Sequence, residues 1–254
     1  MIPRRRRLTI IAGLLLLVAL LAFAVLRIPF TSGIPVTYQS DSDHFKYGSI
    51  GSEASSGIPY SAWQAMPRLF PEEFAGRSDY SALGFLYERD QEGRQRDLPI
   101  GVSRRTYRGV DMVWLNCAAC HAGTWRPDAA SPPQIVVGMP SNNLDFDGFI
   151  RFLLIKASVD HRLSPPSLMA GAEQGGARFG PLGRWFWTNL VGPQLREGLV
   201  ARRARLAPWL GVTPNWGPGR VDTFNPYKLL ELGIRLDQLS PDERKILGLA
   251  EPKI

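Results

Sequence analysis

The sequence predicts a mainly α-helical body with long loops, carried behind an N-terminal transmembrane helix. Three observations predict it. An uncharged apolar run, Leu8 to Leu26, follows four consecutive arginines. Apolar residues in the body recur at helical spacing with almost no strand-type alternation. Glycine and proline, 25 and 21 of 254 residues, cluster between the periodic stretches. With 44% hydrophobic residues the chain can bury a real core, as one large domain or two small ones.

The apolar run would rise about 28 Å as a helix, close to the hydrocarbon thickness of a bilayer. Arg4 to Arg7 precede it and only Arg27 follows directly, a bias that keeps the N-terminus inside and sends the body across. The expected layout is a cytoplasmic basic tail over residues 1–7, an inner-membrane anchor over 8–27, a linker and irregular lead-in over 28–57, and a body over 58–254 in the periplasm. Ala22-Phe23-Ala24 has the small-x-small form of a signal-peptidase site, so a cleaved leader and a soluble periplasmic body are the alternative. The same four arginines supply more than half of the net charge of +7, and the densest remaining patch, Arg202, Arg203 and Arg205, is too short for a nucleic-acid stripe. No nucleic-acid partner is expected.

Within the body, Tyr60, Trp63, Met66 and Leu69 or Phe70 keep helical spacing from Pro59 until Pro71 stops them. Glu88 to Asp97 is polar and predicts an exposed loop, and Val110 to Leu115 is a compact apolar run. Ser141 predicts a cap for a helix through Asn143 to Ser158, its buried face formed by Leu144, Phe149 or Ile150, Leu153 and Leu154. Pro165 and Pro166 open a Gly-rich loop to Gly180. Gly183 to Leu206 reads as helix broken near Gly192 and Pro193, with Trp185 and Trp187 as core residues. Ser240, Pro241 and Glu243 form a capping box that starts a short last helix.

The only two cysteines fall in Cys117-Ala118-Ala119-Cys120-His121. In a helical turn, residues i, i+3 and i+4 share a face, so both thiols can reach the two vinyl groups of one porphyrin while the imidazole rises to its iron. This spacing is the recognised signal for covalent haem attachment, with His121 as the proximal iron ligand. A disulfide between Cys117 and Cys120 would leave His121 unexplained, and a thioredoxin-like pair lacks its βαβ context. A closed zinc site wants four ligands, and the only other histidines are His44 and His161. The expected cofactor is one haem c. Export agrees with it, because covalent haem attachment in bacteria occurs beyond the inner membrane.

For the sixth coordination position the weak candidates are Met139, Met169 and His161. An axial Met raises the potential and suits electron transfer, whereas an open site permits oxygen or peroxide chemistry. Both methionines lie in Pro/Gly-rich stretches with no helix expected to aim them.

The blocks His44-Phe45-Lys46-Tyr47-Gly48-Ser49-Ile50-Gly51-Ser52-Glu53, Gly57-Ile58-Pro59-Tyr60, Leu98-Pro99-Ile100-Gly101-Val102-Ser103, Leu115-Asn116-Cys117-Ala118-Ala119-Cys120-His121 and Gly219-Arg220-Val221-Asp222-Thr223-Phe224-Asn225-Pro226 carry a resemblance over roughly residues 40 to 235. The chain resembles the N-terminal haem domain of a bacterial c-type cytochrome family similar to the dihaem rubber oxygenases, and more distantly to dihaem cytochrome c peroxidases. The resemblance implies a cytochrome c-like helical haem domain. It also implies an open oxygen-binding iron with aromatic neighbours, for which Trp209, Trp216 and Phe224 are the candidates and no strong protein ligand is expected opposite His121. Those relatives carry a second CxxCH that this chain lacks, so a C-terminally truncated chain is expected, with a single-haem relative as the alternative, and a dihaem peroxidase mechanism is not. Two functions follow as expectations: a membrane-tethered cytochrome passing electrons to a periplasmic redox partner, and an oxygenase-like or peroxidase-like domain acting with a small-molecule oxidant.

Overall fold

The computed structural model describes residues 4–31, 33, 35–90, 92–214, 217–219, 229–247 and 249. Helix α1 (Arg4–Thr31) is followed by short helices α2 (Asp41–Tyr47) and α3 (Glu53–Ser56), then strand β1 (Ile58–Pro59) and helix α4 (Tyr60–Leu69). Strands β2 (Val102–Tyr107) and β3 (Val110–Leu115) come next, and after the CxxCH motif β4 (Ala122–Trp125) and β5 (Gln134–Val137). The remainder is helical: α5 (Phe146–Arg151), α6 (Pro165–Gln174), α7 (Pro181–Phe186), α8 (Gly192–Val212) and α9 (Pro241–Ile246).

Two expectations are corrected. The body is not mainly α: it mixes helices with two antiparallel sheets, one ordered β1-β3-β2 and the other pairing β4 with β5. The β2–β3 hairpin pairs Val102 with Leu115 through to Tyr107 with Val110, and its two-residue turn puts both Arg108 (φ 49) and Gly109 (φ 77) at positive φ, the geometry that matches strand twist. Two adjacent arginines, Arg104 and Arg105, occupy the middle of β2, which hid the strand from a search for apolar alternation. The second correction concerns residues 8–27: among the described residues, no helix is long and apolar enough to cross a membrane. Helix α1 does form over this run, and its side chains at residues 10–23 are exposed.

The lead-in expected to be irregular holds α2 and α3. Ser40 caps α2 by accepting from the Asp43 N–H (3.0 Å), and α3 buries Glu53 completely. Both Glu53 carboxylate oxygens are satisfied, one by the Ser49 hydroxyl (2.8 Å) and the other by Ser103. The expected loop after Pro165 is likewise a helix, α6, because Ser164 caps it and proline is tolerated in the first turn. It packs on α4 so closely that a Cβ at Gly171 would stand 3.0 Å from that of Ala65. The predicted face of the helix before it, α5, is buried as expected at Leu144, Phe149, Ile150, Leu153 and Leu154. Its regular part begins at Phe146, capped by Asp145 rather than Ser141, and passes into a π-helical stretch over Phe152–Lys156. A second π stretch, Trp187–Val191, carries α7 into α8 without the break expected near Gly192. It turns Trp187 inward, where the indole N–H donates to Ser61 Oγ (2.8 Å), and leaves Trp185 57% exposed. The capping box on α9 forms as read.

The core lies between the three-stranded sheet and the helices. Trp63 on α4 stacks on Tyr80 at 3.7 Å, with Phe85 and Phe149 packed edge-on against the pair. The Tyr80 hydroxyl is fully buried and donates to the Trp63 carbonyl (2.9 Å), so a large apolar surface is buried without an orphaned polar atom.

Candidate functional site

Strand β3 delivers the chain into Asn116, whose side-chain oxygen accepts from the Ala118 N–H (2.9 Å) and starts a 3-10 turn over Cys117–Ala119. The turn tightens around the Cys117 carbonyl, which accepts from the N–H groups of Cys120 (3.2 Å) and His121 (3.1 Å). The Asn116 side-chain amide donates in the opposite direction, to the carbonyls of Lys46 (3.2 Å) and Gly48 (3.0 Å). Its backbone N–H donates to Gly101 (2.9 Å), and Gly101 in turn donates to Lys46 (2.9 Å). Gly101 sits at φ +87, and a Cβ there would stand 2.7 Å from Ala119 Cβ and closer still to the Ala119 backbone. Nearby, the Ser52 hydroxyl donates to the Leu115 carbonyl (3.0 Å).

The turn is two-sided. Ala118 and Ala119 point inward, Ala118 into a small cluster with Tyr47, Ile100 and Ala122, and Ala119 into the main core. Cys117 and His121 are exposed and Cys120 half-buried, and the two thiols are not joined to each other. Burial, and after it the neighbouring Cys117, pushes the Cys120 thiol's pKa up. Behind the alanines the packing is closed, with a crevice of only about 10 Å³. Whatever these three side chains hold therefore lies on the outer surface.

Downstream residues complete the frame. Gly138 donates to the His121 carbonyl (2.7 Å) and Ser141 to that of Cys120 (2.9 Å), which brings the end of β5 beside the motif. Along that hairpin Val137 pairs with Ala122, and Val136, Val137 and Trp125 keep apolar surface exposed. Among the described residues no three His, Cys, Asp or Glu side chains converge on a point as bare-metal ligands. An outward CxxC-His turn beside an apolar hairpin face fits a flat, largely apolar macrocycle attached at its edge.

The other candidates do not all join this site. Met139 does lie beside it: it follows Gly138, and its Cε would be 3.3 Å from a Cβ on Gly123. Met169 sits on α6, a helix rather than a loop, packed against α4. His161 is 95% exposed and pairs with Asp160 (3.4 Å). Trp209 is buried in a separate cluster with Leu229 and Leu249. Trp216 and Phe224 lie outside the described residues, as do residues 220–228.

No family model, curated protein or solved structure matches the chain. The internal evidence is spatial: segments 44–53, 98–103 and 115–121, distant in sequence, meet at this single turn through Lys46, Gly48, Ser52, Gly101 and Asn116. Of the last block, 219–226, Gly219 docks on the loop after the motif, donating to the Leu144 carbonyl (2.9 Å). Reasoning from sequence missed Asn116 and Gly101 as positioning residues. A signal existed for Asn116, since an asparagine directly before a helical turn is a preferred cap. For Gly101 nothing marked it among 25 glycines.

Proposed function

We propose that the chain is a haem-c protein of the periplasmic side, in which Cys117 and Cys120 anchor the porphyrin, His121 ligates its iron, and the protein transfers electrons to a redox partner. The observation that carries this reading is the two-sided turn, with small alanines inward and two unpaired thiols and an imidazole outward. Each Sγ–H would add across a vinyl group of the porphyrin, sulfur to one carbon and hydrogen to the other, with nothing released. When bound, the group supplies one-electron redox chemistry. The chain's own part is to fix the turn: Asn116 caps it, Gly101 permits its close packing, and Gly138 and Ser141 hold the His121 and Cys120 carbonyls, which sets where the imidazole leaves the backbone.

The meeting of the 44–53, 98–103 and 115–121 segments supports the resemblance to the N-terminal haem domain of the rubber-oxygenase-like cytochromes. The open-site enzyme reading came from the resemblance and from methionines with no helix to aim them; of its three aromatic candidates Trp209 belongs to a different cluster, whereas Met139 lies beside the motif. Electron transfer is therefore the reading kept.

Denaturing electrophoresis with haem staining tests the proposal. Cys117→Ser and Cys120→Ser each reduce covalently held haem and the double variant abolishes it; undiminished staining of the double variant overturns the assignment. The oxidised spectrum then separates the two functions. A sulfur-to-iron charge-transfer band at the red end, lost in Met139→Ala, marks the electron carrier, and a high-spin or oxygen-bound ferrous spectrum marks the open site.

A further inference from the structure

Away from the motif, a cavity of about 360 Å³ opens between β3, α5 with its π-helical extension, and α8. Its walls are apolar: Trp114, Phe146, Ile150, Leu153, Leu199 and Leu206. That volume lies at the lower end of the roughly 300–1,000 Å³ typical of small-molecule sites, which are mostly apolar with a few fixed polar groups. The charged groups at this mouth are Arg202, Arg205 and Glu231, a net positive rim, and of the two cations Arg202 is the more buried. It is half-buried, and one of its Nη2 hydrogens donates to the Ser55 carbonyl (2.7 Å). No carboxylate among the described residues pairs with it. Burial alone pushes its pKa down, with no acidic neighbour pulling it back. Arg205 at the same rim differs, being exposed and loosely paired with Glu231 at 3.8 Å.

A guanidinium has five N–H donors, and a partly desolvated one gains most from a carboxylate that accepts two of them. We propose that the apolar cavity binds an amphipathic monocarboxylate, an acid of the medium-chain fatty-acid kind, with its chain between α5 and α8 and its carboxylate on Arg202. This site is independent of the haem assignment and stands or falls separately.

The test is isothermal titration calorimetry of the full chain with dodecanoate below its micellar concentration, with dodecan-1-ol and dodecylammonium as uncharged and charge-reversed probes. Dodecanoate is expected to bind one saturable site at least tenfold more tightly than either control. Arg202→Gln weakens dodecanoate at least tenfold without changing the alcohol. Leu206→Phe, which fills the cavity and keeps the arginine, removes both. Equal affinity for the three probes overturns the proposal, since it would mean adsorption to exposed apolar surface. So does unchanged dodecanoate affinity in Leu206→Phe, or in an Arg202→Gln protein that melts like wild type, in which case Arg202 serves only to hold Ser55.

Discussion

Replacing Gly101 by alanine asks how much the close packing of the CxxCH turn is worth. Two costs combine at this position. An L-residue at φ +87 loses about 1–2 kcal/mol of backbone energy. The new methyl would also stand 2.7 Å from Ala119 Cβ and nearer its backbone, so the turn must shift, and overpacking of this kind costs about 1–3 kcal/mol. Both are offset by about 0.4–1 kcal/mol from the stiffer unfolded chain. Gly51 provides the matched control, because it has the same φ of +87 with nothing within 4 Å of its would-be Cβ. In urea denaturation Gly101→Ala is therefore expected to be about 1–3 kcal/mol less stable than Gly51→Ala, with an unchanged m value. Haem staining per folded protein should fall in Gly101→Ala and hold in Gly51→Ala. If the two variants agree within about 0.5 kcal/mol, the turn yields easily and the argument that Gly101 positions the motif is wrong.

Asn116→Ala removes a cap and takes the side-chain donor from the Gly48 carbonyl, while the Lys46 carbonyl keeps the Gly101 N–H, a loss of about 2–4 kcal/mol in the same assay; Asn116→Asp keeps the cap and should fall between. Glu88 shapes the acid limb of stability. Burial pushes its pKa up, but hydrogen bonds from Lys46 (2.7 Å) and Tyr47 (2.9 Å) and the Lys46 and Arg96 charges outweigh that and hold it below the ordinary 4.5. Its contribution is full above pH 4.5 and is lost as pH falls through the depressed folded value, so Glu88→Gln should cost about 1 kcal/mol at pH 7 and progressively less below pH 4.5, read from denaturation midpoints across pH. Met169→Ala and His161→Ala should leave the ferric absorption spectrum unchanged, since one residue is on α6 against α4 and the other projects into solvent; a shifted band in either would relocate the iron's sixth ligand.

The CxxCH turn was legible in the sequence because five adjacent residues make it, and its local conformation needs no distant partner to be recognised. Helices with strong periodicity, such as α4, were legible for the same reason, and so was the capping box of α9. The sheets were not. Strand β2 exposes Arg104 and Arg105 on salt bridges and carbonyls rather than showing apolar alternation, and β1 is two residues long. Helix α6 was obscured by two prolines that in fact occupy its first turn, where the missing N–H costs nothing. The frame of the motif was least visible of all, since Lys46 and Gly48 contribute through backbone carbonyls, which any residue type can supply.

The grip on Asn116 has a consequence for the order in which this site is made. Lys46, Gly48, Ser52 and Gly101 all precede the motif, so during synthesis or N-terminus-first translocation they emerge before it. The half of the turn that carries Cys117 thus meets a prepared berth as it emerges. The half that carries Cys120 and His121 waits for Gly138 and Ser141, about twenty residues later, or a second or more at typical chain-growth rates. In that interval the first thiol is positioned while the imidazole still swings freely, which gives the two sulfurs unequal histories before the single ring proposed for them would be joined.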